Sequence, residues 1–180
     1  MKNKIEYYDQ FITKVPDFPK KGVLFYDITS VLLKPEVYTS LINEVYSFYN
    51  LKKIDCIAVV ESRGYLIGAP LSLKMQLPLV LIRKEGKLPR EVFSEEYELE
   101  YGFGRIEVHK DDIKMYSNIL LIDDILATGG TLKSSAILLE RAGGRVKDIF
   151  CFIELCDING RHILEGYEVN ALVRYNYLNA

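Results

Sequence analysis

The chain has 180 residues, 49% of them hydrophobic, which fits one domain with a substantial core. A formal net charge of −2 argues against a generally basic nucleic-acid binder. No apolar run reaches the roughly 18 residues of a membrane-spanning helix, and the opening M-K-N-K-I-E-Y-Y-D-Q has no apolar signal core. Cys56, Cys151 and Cys156 lack metal-ligand spacing and lie in or beside apolar runs, so buried reduced thiols of a cytoplasmic protein are expected. His109 and His162 stand alone in the sequence and are expected at the surface rather than as ligands. There is no internal repeat or low-complexity segment.

From the start, Ile5, Tyr8, Phe11 and Ile12 follow helical spacing, which predicts a helix over 4–14 that stops before Pro16. Val15-Pro16-Asp17-Phe18-Pro19 reads as a rigid extended turn. Gly22 and the run Val23–Thr29 come next, a small strand or lobe. Pro35 to Tyr49 is an amphipathic helix with Pro35 in its first turn and Val37, Leu41, Ile42, Val45, Tyr46 and Tyr49 on its apolar stripe. Asp55 to Val60 is a buried strand ending in Glu61-Ser62-Arg63-Gly64, with a helix expected from about Leu66 to Met75. Leu79 to Ile82 is another strand. Alternating strands and helices predict a parallel α/β sheet.

That second strand runs into Arg83-Lys84-Glu85-Gly86-Lys87-Leu88-Pro89-Arg90, four cations in eight residues. Such a cluster is either a solvated face or, at a strand end, a seat for a phosphate-rich group. Glu91 to Ile106 has no clear period, many charges and two glycines. A loop this long in a compact domain is usually functional or disordered. Ile106 to Val108 is the candidate return strand.

Ile119 to Ile122 is a continuous apolar run of the kind buried on both faces of a parallel sheet. It ends in two adjacent carboxylates, Asp123 and Asp124. Ala127-Thr128-Gly129-Gly130-Thr131 follows, then a helix over Leu132–Ala142 ending at Gly143-Gly144. A strand, a glycine loop and a helix N-terminus together form an anion site, because the first helical N–H groups are unpaired and the dipole end is positive. The carboxylates suit sugar hydroxyls, developing positive charge or a hydrated magnesium ion. A phosphate cradle beside two acids therefore points to a sugar phosphate. The plainer alternative is a strand-to-helix turn with an acidic end. Neither the Walker pattern nor a G-x-G-x-x-G fingerprint is present. Val146–Leu155 and Tyr167–Tyr177 complete the expected strands.

The stretch N-I-L-L-I-D-D-I-L-A-T-G-G-T-L resembles the phosphoribosyl pyrophosphate (PRPP) motif of type I phosphoribosyltransferases, and its A-T-G-G-T ending resembles the adenine phosphoribosyltransferase branch. Four more stretches resemble that branch in the same order: P-D-F-P-K-K-G-V-L-F-Y-D-I-T, E-S-R-G, R-K-x-G-K-L-P and S-x-x-Y-x-L-E-Y-G. The resemblance covers roughly residues 15–165. It implies a single domain over 1–180 with a central parallel sheet flanked by helices, a small N-terminal hood over about 1–34 and a mobile flap over about 88–108. It implies transfer of 5-phosphoribosyl from PRPP to N9 of adenine, giving AMP and pyrophosphate in purine salvage, with magnesium held mainly by PRPP and water. It also implies a cytoplasmic homodimer that binds neither nucleic acid nor membrane.

Residue by residue, the resemblance implies that Leu24, Phe25 and Tyr26 of the hood, with Leu155 opposite, hold adenine. Many members carry arginine at the position of Tyr26. Ser62, Arg63, Arg83, Lys84 and Lys87 would hold the pyrophosphate. Asp123 and Asp124 would hold the ribose and act in catalysis, and Ala127, Thr128, Gly129, Gly130 and Thr131 would hold the 5′-phosphate. Glu100 and Tyr101 of the flap would be catalytic, the carboxylate handling the purine proton while the closed flap excludes water. Two other readings are a transferase for hypoxanthine, guanine or xanthine, and a PRPP-sensing regulator. The first needs a lysine near the base, and the strand Val146–Leu155 offers only Lys147, at its start. The second usually has a DNA-binding domain, and only about 15 residues precede the P-D-F-P-K-K-G motif of the hood.

Overall fold

The computed structural model describes residues 4–98, 103–113, 116 and 118–176. In chain order the elements are α1 (Lys4–Asp9), β1 (Thr13–Pro16), β2 (Leu24–Asp27), α2 (Thr29–Leu32), α3 (Pro35–Tyr49), β3 (Cys56–Val60), α4 (Gly64–Met75) and β4 (Leu79–Lys84). Then come β5 (Val92–Glu98), β6 (Phe103–His109), α5 (Lys110–Ile113), β7 (Ile119–Leu126), α6 (Gly130–Arg141), β8 (Val146–Leu155) and β9 (Glu168–Tyr175). Short 3₁₀ turns at Cys156–Ile158 and His162–Leu164 connect β8 to β9.

The continuous apolar runs became the centre of the sheet. All five residues of β3 are buried, and β3 lies between β4 and β7, parallel to both. β8 pairs parallel with β7, and β9 with β8. Both faces are covered, as a parallel sheet requires. Ile57, Val59, Leu120 and Ile122 pack on one side with Val37 and Leu41 of α3 and Ile67 of α4. Cys56, Ala58, Val60 and Leu121 pack on the other with Leu132, Ala136 and Leu139 of α6. Strand order is β5-β6-β4-β3-β7-β8-β9, with a separate β1-β2 pair in the segment expected to form the hood. The α/β fold with a mostly parallel sheet is as expected.

Three local expectations needed correction. The first helix ends at Asp9, not near residue 14, because Thr13–Pro16 pairs antiparallel with Leu24–Asp27. β-Branched Ile12, Thr13 and Val15 before a proline favour the extended form once a partner strand is available. Most of Glu91–Ile106 is not a loop. Val92–Glu98 and Phe103–His109 form an antiparallel hairpin whose second strand pairs with the edge of β4. Its period was hidden by charges that pair with one another, Arg105 binding both Glu85 and Glu96. His109 is buried, not at the surface: its Nδ1 lies 2.9 Å from an Arg90 nitrogen and 3.2 Å from Asp112. His162 is exposed, as expected, 3.0 Å from Glu165. Cys56 and Cys151 are buried, while Cys156 is only half-buried; all three thiols are free.

α4 contains Pro70, which has no N–H to give the carbonyl of Leu66 one turn back. The hydroxyl of Tyr38, on α3, donates to that carbonyl instead. The contact joins the two helices where one of them would otherwise carry an unmet acceptor. Tyr38→Phe is expected to cost about 1–2 kcal/mol in urea denaturation. In a Pro70→Ala background, where residue 70 regains its own N–H, the same change should cost appreciably less. Equal costs in the two backgrounds would show that Tyr38 does not serve the Leu66 carbonyl.

Candidate active site

The parallel strands β3 and β7 end side by side, and their ends carry the polar residues that their apolar bodies cannot. β3 leads into Glu61-Ser62-Arg63, with α4 starting at Gly64. β7 does not stop at Ile122; it continues through Asp123 and Asp124 to Leu126, so both acids are inside the sheet. α4 and α6 each begin two residues earlier than expected, at glycine. Gly64 is required by space: a Cβ there would lie 2.8 Å from the carbonyl oxygen of Ile122 and 3.3 Å from Asp123 Cα. The start of α4 is thereby held against the acids.

A cavity of about 340 Å³ opens at these strand ends. Its walls include Ser62, Arg63, Lys84, Asp123, Asp124, Ala127, Thr128, Gly129 and Thr131, all of them expected site residues. Glu61, Tyr97 and Leu132 also line it. Gly129, with φ of 81°, turns the chain into α6, and no side chain caps the helix. The Gly130 N–H makes a long contact to Thr128 Oγ1 at 3.5 Å, and the next first-turn N–H groups are left for a ligand, in a loop whose φ favours glycine.

Asp123 and Asp124 are nearly buried. Asp124 N–H donates to Asp123 Oδ1 at 2.8 Å. Burial, and then the neighbouring Asp124 charge, push the Asp123 carboxyl well above the usual carboxylate range. Burial raises Asp124 as well, and the Arg63 guanidinium opposes it. Arg63 Nε lies 2.9 Å from Asp124 Oδ2. That is ion-pair range, but Oδ2 still has no hydrogen-bond donor among the described residues. Arg63 also carries Phe25 over its guanidinium, 5.0 Å from the ring centre, which ties the hood to the site. Burial pushes the thiol of Cys56 up to about 12 and raises that of Cys151 well above its ordinary value, so neither is a nucleophile.

The remaining expected residues are less direct. Arg83 Nε is 3.3 Å from Glu61 Oε2, and its NH1 donates to the Lys87 carbonyl at 3.1 Å. The Arg83 side chain thereby braces the cationic turn, and Lys87 itself is exposed outside the cavity wall. Glu61 was not singled out from sequence, yet Oε2 also accepts from the Lys84 N–H at 2.9 Å and joins the ends of β3 and β4. Its signal was a carboxylate directly after a buried strand. Tyr97 was hidden by the missing period of its strand. Leu24 and Leu155 belong to the apolar cluster that Ala127 packs against, but neither lines the cavity. The Tyr26 ring is buried and stacked on Tyr175 at 4.3 Å. Only the main chain of residue 26 is left to meet a base. Gly130 begins α6 rather than lining the wall. Glu100 and Tyr101 lie outside the described residues. Lys147 pairs with Glu168 at 3.2 Å, at the start of its strand and away from the cavity.

The family model for the phosphoribosyl transferase domain matches residues 34–158. A curated adenine phosphoribosyltransferase of Borrelia garinii subsp. bavariensis is 93% identical over 98% of this chain and all of its own length. The chain belongs to the adenine phosphoribosyltransferases. Among solved structures, the adenine phosphoribosyltransferase of Thermoanaerobacter pseudethanolicus matches with a TM-score of 0.92 at 42% identity, covering 95% of this chain and 99% of its own. The Saccharomyces cerevisiae enzyme, solved with an imino-altritol bisphosphate and adenine, matches with a TM-score of 0.89 at 32% identity, covering 96% and 100%.

The raised Asp123 carboxyl sets a direction for stability in this family member. Its folded-state value lies above the unfolded one, so its contribution is full below the ordinary carboxylate value and is lost as pH rises through the raised value. Asp123→Asn keeps an acceptor for the Asp124 N–H but cannot ionise. The variant is expected to melt higher than wild type at pH 8, with the gap shrinking towards pH 4. A variant that melts lower at pH 8 would contradict a costly buried carboxylate.

Proposed function

We propose that the protein transfers the 5-phosphoribosyl group of PRPP to N9 of adenine, releasing AMP and pyrophosphate. The observation that carries this reading is the cavity itself: two buried acids flank one side, an uncapped helix N-terminus another, and Arg63 with Lys84 a third. A molecule with a phosphate at one end, a hydroxylated ring and a diphosphate matches those three chemistries. The 5′-phosphate sits at Ala127–Thr131, the ribose hydroxyls on Asp123 and Asp124, and the diphosphate near Ser62, Arg63 and Lys84, with Arg83 and Lys87 behind. The base lies under the hood, between Phe25 and the Leu155 side, with Leu24 and Tyr26 reading it through main-chain groups.

In the reaction the C1–O bond breaks and its electron pair leaves with the pyrophosphate, while N9 forms the new bond to C1. Positive charge on the ribose ring is met by the carboxylates, and negative charge on the leaving group by Arg63 and Lys84. Glu100, with Tyr101 beside it, takes the proton that N9 gives up. Positioning and fixed charge supply most of the rate. Magnesium held by the substrate, beside Asp123 and Asp124, would supply neutralisation of the diphosphate charge. The donor set fits that role: two neighbouring carboxylates face the cavity and suit a hydrated ion.

The whole chain acts as one domain, with the hood at about 1–34 and the flap at about 88–108. It works in the cytoplasm as a homodimer. The buried free thiols of Cys56 and Cys151 suit that compartment. No helix among the described residues is long and apolar enough to cross a membrane.

The test is product formation from PRPP and magnesium with radiolabelled adenine, run beside hypoxanthine and guanine. AMP from adenine alone is expected. Faster turnover of an oxopurine would replace the base, and retained PRPP binding without turnover would make the protein a sensor.

A further inference from the structure

We infer that Glu154 and Arg161, neither of which lines the cavity, are positioning residues that hold the 5′-phosphate loop in its binding shape. The inference rests on the placement of the 5′-phosphate at Ala127–Thr131.

The loop does not stand alone. Gly160 packs directly on it, and a Cβ there would lie 1.9 Å from the Ala127 carbonyl oxygen and 2.6 Å from the Thr128 carbonyl carbon. From the other side, a Cβ on Gly129 would lie 2.5 Å from the Gly160 carbonyl oxygen. Two backbones meet here with no side chain between them, so a shift of one displaces the other. The shape of the phosphate loop therefore depends on what fixes the connection from β8 to β9.

That connection is fixed by the residue next to Gly160. Arg161 forks onto Glu154 of β8, Nε to Oε1 at 2.8 Å and NH2 to Oε2 at 2.6 Å. Its NH1 donates to the Val169 carbonyl of β9 at 2.6 Å. All three contacts require the planar, five-donor guanidinium, and lysine cannot reproduce them. Glu154 is 3% exposed, and Arg174 of β9 adds a contact at 3.0 Å. Burial alone would raise the Glu154 carboxyl, but Arg161 and Arg174 outweigh it and hold it below the usual range. Arg174 thus supports the same carboxylate without being attached to the loop, which separates a general staple from a loop clamp.

The experiment compares wild type with Arg161→Lys, Gly160→Ala and Arg174→Gln, all in the full chain. Steady-state kinetics would give KM for PRPP and for adenine, calorimetry would give Kd for ribose 5-phosphate, and thermal melts would record stability. Arg161→Lys and Gly160→Ala should raise KM for PRPP and Kd for ribose 5-phosphate by about tenfold, the scale on which supporting residues act, with KM for adenine nearly unchanged. Arg174→Gln should lower the melting temperature and leave both donor constants alone. If Arg161→Lys and Gly160→Ala lose only stability, or raise both KM values together, the positioning role is wrong. Should wild type make no AMP, the proposed reaction fails, and the ribose 5-phosphate titration still decides the clamp.

Discussion

The site depends on the burial of two neighbouring carboxylates against a single arginine. Asp123 and Asp124 sit within β7 where both faces of the sheet are covered. Water cannot solvate them well, and the Asp124 charge adds to the cost of ionising Asp123. Arg63 is the cation within ion-pair distance of Asp124, and it reaches that position only because Gly64 lets α4 begin in contact with β7. A carboxylate pair held in this state gains from any ligand that brings hydroxyl donors or positive charge. Such a site costs stability without a ligand and recovers it on binding, as functional sites often do.

The fold makes this arrangement in an economical way. Parallel strands all end on the same side, so the polar ends of β3, β4 and β7 converge without long connections. Ligands of open α/β sheets bind at those carboxyl ends. The hairpin β5-β6 extends the sheet beside β4 and brings Tyr97 to the cavity wall. The β1-β2 pair reaches the site through Phe25 over Arg63. One arginine thus contacts an acid of the sheet and an aromatic ring of the hood, and its N-cap position anchors it to α4. The Ala127–Gly129 turn is backed by Gly160, in the connection from β8 to β9.

Much of this was legible in the sequence, for physical reasons that differ from residue to residue. Cys56–Val60 and Ile119–Ile122 are apolar without alternation, which only doubly covered strands can be. Asp123, Asp124 and the A-T-G-G-T loop break that pattern at one point, and polar residues closing an apolar strand signal a site. Other parts depended on distant partners. Thr13–Pro16 is extended because Leu24–Asp27 lies beside it, and no local preference states that. The hairpin strands carry charges whose partners sit across the sheet, so their two-residue period was masked. His109 is buried by Arg90 and Asp112, and the contact of Gly160 with Ala127 links residues 33 positions apart. Tyr26, expected beside the base, turns its ring instead to Tyr175, a contact that requires the C-terminal strand to be in place.

The most direct test is a double-mutant cycle on folding stability with Arg63→Met and Asp124→Asn. Arg63→Met alone leaves Asp124 buried and unpaired, and is expected to cost about 1–3 kcal/mol at neutral pH, between the values for an exposed and a fully buried pair because Arg63 is partly exposed. In the Asp124→Asn background the same change should cost only what the lost Phe25 contact is worth, so that the cycle gives a coupling of about 1 kcal/mol or more. Equal costs in the two backgrounds would mean that the acids do not depend on Arg63, and the electrostatic account of the site would be wrong.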